Sequence, residues 1–507
     1  MRLTGIFCIT INLLFLNGVL YSQPWMKMLP KDKNTAGNIN FYDVQKAFNQ
    51  YWEGKDLEAK KVIRGKGYKP FKRWENWMIP RVYPSGYLPL NKTWLEYQKE
   101  RLKKNNQKVS SVSNWISLGP NKVPLDLKDA PSGLGRINCV AFHPTDTNII
   151  YTGSPSGGFW KTTNCGITWN TTTDELASIG ISDIVLNPEN PDEIYIATGD
   201  GDANDTYSIG ILKSVDGGNT WDTTGMNYST GDNLIIRKLL INPFYPDTII
   251  TATSSGIYRT NNAGKNWTLI QSGHFKDIEF KTGNTEIVYA ARYGTNSTQF
   301  YKSKDGGVSF KYINIGANTS ETYRLELAVG GSDSSSVIYA LYSNAEDDGF
   351  HSLWKSVDDG ETWKKVYDKS ASNLLGWSSD GTDKGGQGWY DLSLIVSPIN
   401  QEEIYLGGIN LWKSSNSGTN WSLIGHFNDS NAPYIHADHH CLAFSPSGIL
   451  FNGNDGGLYK SSDYGLSWTD ISNGLGILQI DRIGVSQTIS NHIIVGNQDN
   501  GTMKYNK

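Results

Sequence analysis

Four of the eight histidines fall between positions 426 and 440: His426, His436, His439 and His440, with Asp438 among them. Alternate residues of a strand share a face, so His436, Asp438 and His440 can converge on one ligand or metal ion. The same spacing suits a polar strand start that lines a wet channel. His439 belongs to the same candidate ligand-binding set. An upstream glycine-rich stretch supplies Trp377, Trp389 and Tyr390. Such rings stack on sugar faces or peptide side chains, or pack onto the fold that carries them. Asp200, Asp202 and Asn204 have the alternating oxygen spacing of a calcium loop, without the glycine and distal glutamate that complete an EF-hand. A structural calcium and a plain polar loop both remain open there, and no other cofactor is expected. No phosphate-binding glycine loop, zinc spacing or Ser-His-Asp context stands out.

The elements that must position these residues are repeats. Ser461 to Trp468 reads Ser-x-Asp-x-Gly-x-x-Trp, and Ser214 to Trp221 and Ser356 to Trp363 match it fully. Thr162 to Trp169, Thr260 to Trp267 and Ser414 to Trp421 carry Asn in place of Asp, and Ser303 to Phe310 ends in Phe. A short aromatic and branched run precedes each copy and favours a strand. The octapeptide is then a turn: the Asp or Asn oxygen and the hydroxyl bond nearby backbone N–H groups, and the Gly takes an angle closed to other residues. Asn keeps the acceptor but cannot act as base or nucleophile, so these carboxylates are turn chemistry. Each unit adds an apolar strand that often ends in Pro, as at Val140 to Pro144, and a second such as Ile194 to Ile196. Four strands per unit at this period make an all-β propeller of eight, alternatively seven, Asp-box blades. The eighth unit lacks its outer strand. Asn114 to Leu118 resembles one, so the expectation is that it completes the last blade and closes the ring. That the chain is a piece of a longer protein is the other reading.

Met1 to Ser22 reads as a secretory signal with an apolar core from Ile6 to Leu16, too short to span a membrane. After its removal no membrane-spanning segment is expected, and the protein is exported or displayed at the cell surface. Three cysteines would remain, Cys139, Cys165 and Cys441, an odd number that argues against a disulfide framework. Residues 23–113 show helix-like spacing with interrupting prolines and form a small helical region and linker before the propeller at 114–507. A net charge of −4 gives no reason to expect nucleic acid as partner.

The boxes resemble those of the bacterial neuraminidase-repeat propellers. The lead-in Gly456-Gly457-Leu458-Tyr459-Lys460-Ser461 is most similar to sortilin-type receptors and xyloglucan-hydrolase propellers. The resemblance covers about 137–507 and implies the fold, which serves enzymes and binders alike. In xyloglucan hydrolases an acid sits in the second-to-third-strand loop of the first blade, where this chain has Pro155. Later repeats carry an acid there, Asp455 in Asn454-Asp455-Gly456-Gly457 and Asp499 in Gln498-Asp499-Asn500-Gly501. Two carboxylates roughly 5–10 Å apart would suit a glycosidase. A turn-forming Asp before Gly is the other reading. A sialidase would need an arginine cluster, and Arg136, Arg237, Arg324 and Arg482 lie near inner-strand starts in differing registers.

Strand order puts the boxes on one face and the second-to-third-strand loops on the other, where a site should lie. The leading expectation is an exported propeller that binds an extracellular glycan or peptide there. A glycoside hydrolase using Asp455 and Asp499, and an adhesion scaffold, are the alternatives.

Overall fold

In a computed structural model of the chain, residues 24–29, 39–55, 68–87, 97, 99, 117–123, 132–294, 298–332, 334–489 and 491–505 are described. The segment read as a signal, most of residues 88–113 of the expected helical region and linker, and Asn114 to Ile116 lie outside them. The chain divides into two compact units, Met1–Val109 and Ser110–Lys507. In the first, α1 (Phe41–Trp52) and α2 (Tyr68–Val82) follow a short 3-10 turn at Pro24–Met28. Asn40 caps α1 by accepting the Tyr42 N–H. Phe48 of α1 stacks on Phe71 of α2, with centroids 3.7 Å apart, and both rings meet the buried Trp25. No described helix is long and apolar enough to cross a membrane.

The second unit is built as the repeats dictate. Eight antiparallel sheets follow one another, seven four-stranded and the last three-stranded, each made of consecutive strands. The all-β propeller of Asp-box blades is therefore present. Blade 1 runs Cys139–Phe142, Ile150–Ser154, Gly158–Thr162 and Asn170–Thr171. Its register pairs Cys139 with Gly153 and Ile150 with Thr162. Second strands are buried along their whole length in several blades, apolar at the start and small or polar at the end toward the loop: Ile150–Ser154, Ile194–Thr198 and Leu450–Asn454.

The box geometry repeats closely. Ser461 Oγ donates to Asp463 Oδ1 (2.7 Å) and accepts from Gly465 N (2.8 Å). Asp463 accepts from the backbone N and the hydroxyl of Ser467. In the Asn copy, Asn164 Oδ1 accepts from Thr162 Oγ1 and Thr168 N, both at 2.9 Å, and its amide donates to Thr168 Oγ1. No charge is required. The residue before the box Gly is left-handed in every copy. Five copies hold a non-glycine there: Cys165, Ala263, Asp359, Ser417 and Tyr464. Its N–H bonds the turn between first and second strands, as Cys165 N to Asn148 O and Ala263 N to Asp247 O at 2.9 Å show. Both turns thus share one end of the blade, as strand order implies.

The seam of the ring lies between the first and seventh sheets. Trp221 Nε1 of blade 2 bonds Thr172 at the outer edge of blade 1, and Trp468 of blade 7 bonds Ile424 O of blade 6. Trp267, Trp363 and Trp421 bond the Gly carbonyl of their own box, but Trp169 of blade 1 reaches across like Trp221 and Trp468, to Ile471 O at 2.9 Å, at the outer edge of blade 7. Leu134 and Ile137 N–H groups bond Gly456 O and Asn454 O across the same seam. A core of Leu134, Ile137, Ile150, Trp160, Trp169, Phe451, Leu458 and Leu475 fills it. So eight blade units follow one another in sequence and seven meet around the ring. The eighth sheet, Ile480–Val485, Ile493–Asn497 and Thr502–Tyr505, has an exposed first strand. No fourth strand joins it among the described residues. Ser117 and Leu118, the described end of the segment expected to complete it, are in no strand.

Candidate functional site

The first strand of blade 7 begins at His439, and Asp438 before it is left-handed with φ 65°. That turn breaks the expected alternation, so His436, Asp438 and His440 do not share a strand face. His436 Nε2 lies 3.2 Å from Asp499 O, and its ring covers Gly456 so closely that a Cβ there would meet His436 Cβ at 2.5 Å. His439 is fully buried, with Nδ1 2.8 Å from Asn452 Oδ1. Burial pushes its pKa down to about 3, so it is neutral and serves the core. His440 points the other way, into the ring centre, with both nitrogens taken by carboxylates. Nδ1 lies 3.0 Å from Asp202 Oδ2 and Nε2 2.9 Å from Asp455 Oδ1. A metal held by His436, Asp438 and His440 together is excluded by this arrangement.

The Asp200–Asn204 loop of blade 2 fills the ring centre. Asp200 takes Arg136 NH2 at 2.6 Å. Asp202 takes Lys276, Arg324 at 3.4 Å, and His440. Arg237 donates to Gly201 O and to Asn204 Oδ1. Protein cations therefore occupy the oxygens that the calcium reading assigns to a metal. The same bonds answer the arginine-cluster reading: Arg136, Arg237 and Arg324 do converge, but onto this loop, while Arg482 is exposed and bonds its neighbour's carbonyl.

Asp455 follows the second strand of blade 7 and is 3 % exposed. Tyr390 Oη donates to its Oδ2 at 2.8 Å, and Tyr390 also lies edge-on to the His440 ring, 4.6 Å between centroids. Burial alone would raise the Asp455 carboxyl. The hydrogen bond and charge of His440, with Arg136 and Tyr390, outweigh that and hold it below the usual range. The loop of the eighth sheet lies over this point. Asn500 Nδ2 donates to Asp455 O at 3.0 Å, and Asp499 is exposed to solvent with φ 54°.

Asp438, Asp455 and Asp499 thus come together, with one oxygen of each within 4.8 Å of the others. Burial and the neighbouring acids Asp455 and Asp499 push Asp438 up to about 7. Burial and Asp455 raise Asp499 as well. Gln387 Nε2 donates to Asp438 Oδ1 at 3.1 Å. Asp391 is 1 % exposed, with no hydrogen-bond partner on either oxygen; burial first, and the nearby Asp438 second, push its carboxyl well above the usual range. An oxygen-rich cluster of this kind attracts hard cations in general. Here Asp455 is already committed to His440 and Tyr390. The arrangement is a carboxyl held below the usual range, Asp455, beside two whose proton affinity is raised, Asp438 to about 7 and Asp499 in the same direction.

The flagged aromatics divide. Tyr390 is part of the cluster as a hydrogen-bond donor rather than a stacking face. Trp389 beside it is 37 % exposed, with centroids 5.3 Å apart. Trp377 is half-buried, its N–H bonded to Asp383 at 2.8 Å and its carbonyl 3.3 Å from His426 Nε2. Lys276, Gln387 and Asp391 escaped the sequence reading. Nothing local marks them, because each gains its meaning from a distant blade.

The profile of the family described as "Sortilin, neurotensin receptor 3" matches residues 255–388. A xyloglucanase from Paenibacillus sp is 23% identical over 363 residues, 63% of this chain and 34% of that protein. One from Hypocrea jecorina is 23% identical over 336 residues, 58% of this chain and 39% of that protein. The chain thus spans little more than a third of the length of these relatives. Among solved structures, the GH74 xyloglucanase from Xanthomonas campestris superposes with a TM-score of 0.55 at 17% identity, over 74% of this chain and 59% of that one. A GH74 enzyme of Niastella koreensis gives 0.54 at 19% identity, over 75% and 60%. With the box geometry and the blade sheets, these matches make the chain a β-propeller similar to the sortilin-type and xyloglucanase propellers.

Proposed function

We propose that this propeller acts on a polysaccharide of the β-glucan or xyloglucan class as a glycoside hydrolase, with Asp499 as proton donor and Asp455 as the ionised partner. One observation carries the reading: two neighbouring carboxyl groups whose surroundings drive their proton affinities apart, Asp455 down and Asp499 up. Acid and base assignments follow from such a split. Similarity to xyloglucanases supports the substrate class. The oxygens lie within 4.8 Å, short of the roughly 6.5–9.5 Å that leaves room for an attacking water. An inverting course therefore requires that the sugar wedge the exposed Asp499 loop away from Asp455, whereas a retaining pair stands only roughly 5–5.5 Å apart. The reading assigns the exposed Trp389, beside Tyr390, to stack on a neighbouring sugar. Export through Met1 to Ser22 belongs to the same proposal, and the mass of the secreted chain checks it.

Release of reducing ends from xyloglucan and mixed-linkage glucan is the test. Asp499→Asn and Asp455→Asn should each lower turnover by roughly 10²-fold or more. Turnover untouched by both replacements would sink the assignment. A second reading, a glycan- or peptide-binding propeller, draws on the near-complete burial of Asp455 beside an exposed Trp389. Binding without hydrolysis by the unaltered protein, lost in Trp389→Ala, would favour it.

A further inference from the structure

The hydrolase reading leaves Asp202 and His440 unused, yet they end on Asp455. His440 is buried, and its two nitrogens face carboxylate oxygens at 3.0 and 2.9 Å. A neutral imidazole carries one proton, so one nitrogen would turn a lone pair toward a carboxylate. Both carboxyls lie below the ordinary carboxylate range, in part because His440 faces them. Burial would raise Asp202, but Lys276, His440 and Arg324 outweigh it; His440, Arg136 and Tyr390 do the same for Asp455. Those two carboxylates outweigh the effect of burial and raise His440 above the ordinary histidine value, which favours an imidazolium with a proton on each nitrogen. The groups that face it are Asp202 from blade 2, Asp455 from its own blade, the Tyr390 ring, the neutral His439 and, further off, Asp438. A histidine needed only for packing would reach the same place neutral, as His439 does with a single amide partner.

We propose that Asp202 is a positioning residue of the site, which through His440 fixes the orientation of the Asp455 carboxylate and keeps it the proton-free member of the acidic cluster. The protons of the cluster then reside on Asp438 and Asp499, the two members nearer solvent. This rests on the hydrolase reading for its catalytic consequence, but the Asp202–His440–Asp455 coupling does not.

Two measurements separate the two. The first is ¹⁵N NMR of the full chain with labelled histidine, the His440 signal assigned by its loss in His440→Gln. The expected wild-type signal shows both nitrogens protonated at pH 8. In Asp202→Asn it should show titration about one unit or more lower. A neutral His440 at pH 7 in the wild type overturns the proposal, and that arm stands even where the variant fails to fold. The second is the pH profile of xyloglucan hydrolysis. Asp202→Asn should lower kcat at least about ten-fold with KM nearly unchanged. It should also move the acidic limb up by about one pH unit, because Asp455 loses its charged neighbour. An unshifted limb overturns the positioning role. Absence of turnover in the wild type overturns the hydrolase reading alone; the NMR result then decides the coupling.

Discussion

Asp438 shows how far one backbone angle changes the meaning of a motif. Spacing alone places His436, Asp438 and His440 on one face. The left-handed turn at Asp438 sends them to three destinations: a loop carbonyl, an acidic cluster and the ring centre. The sequence marks the right neighbourhood, since polar and titratable groups rarely crowd a strand start without cause. It cannot mark the angle. The carboxyl pushed up to about 7 has a measurable consequence. A raised folded value means that the group favours the folded state fully only below the unfolded value, near 4. The contribution is lost as pH rises toward 7. Asp438→Asn should therefore raise the melting temperature at pH 8 and leave it nearly unchanged near pH 4. Thermal unfolding at both pH values checks this; an equal shift at both would place the effect in packing rather than charge.

At the scale of the element, the Asp box was legible because everything it does is local. Hydroxyl, acceptor and glycine lie within eight residues, and the Asn variants already say that charge is dispensable. The left-handed residue before the glycine was less visible, because five copies fill it with ordinary side chains. For an L-residue that conformation costs about 1–2 kcal/mol, and glycine gives back about 0.5–1 kcal/mol in backbone entropy. Ala263, at φ 55°, has no side chain whose loss matters beyond a methyl group. Ala263→Gly should stabilise the protein by up to about 1 kcal/mol. Denaturant unfolding that gives a lower midpoint would refute the strain argument.

For the whole molecule, the period gave the blade units but not their partners around the circle. Trp169 looks like every other box tryptophan, and only its bond to Ile471 reveals which blade precedes the first. The eighth sheet adds nothing to the seam core, yet it carries Asp499. A chain ending at Leu478 should therefore melt cooperatively close to the full-length temperature while losing the hydrolysis proposed for the cluster. Collapse of the melting transition in that shortened chain would mean that the sheet belongs to the ring after all.

The seam also orders events in time. Neighbouring blades meet through pairs such as Trp221 with Thr172 and Trp468 with Ile424, 49 and 44 residues apart, whereas Trp169 meets Ile471 across 302. Tethering so long a loop costs about 1.6 kcal/mol more than tethering a single blade, by the logarithmic growth of closure entropy. Contacts of that separation form last, after local units have gained their own stability. The Asp202 to His440 bond spans 238 residues and depends on the same closure. A chain caught midway through folding would hold finished blades and still have no chemistry: the cluster is the last thing this protein makes.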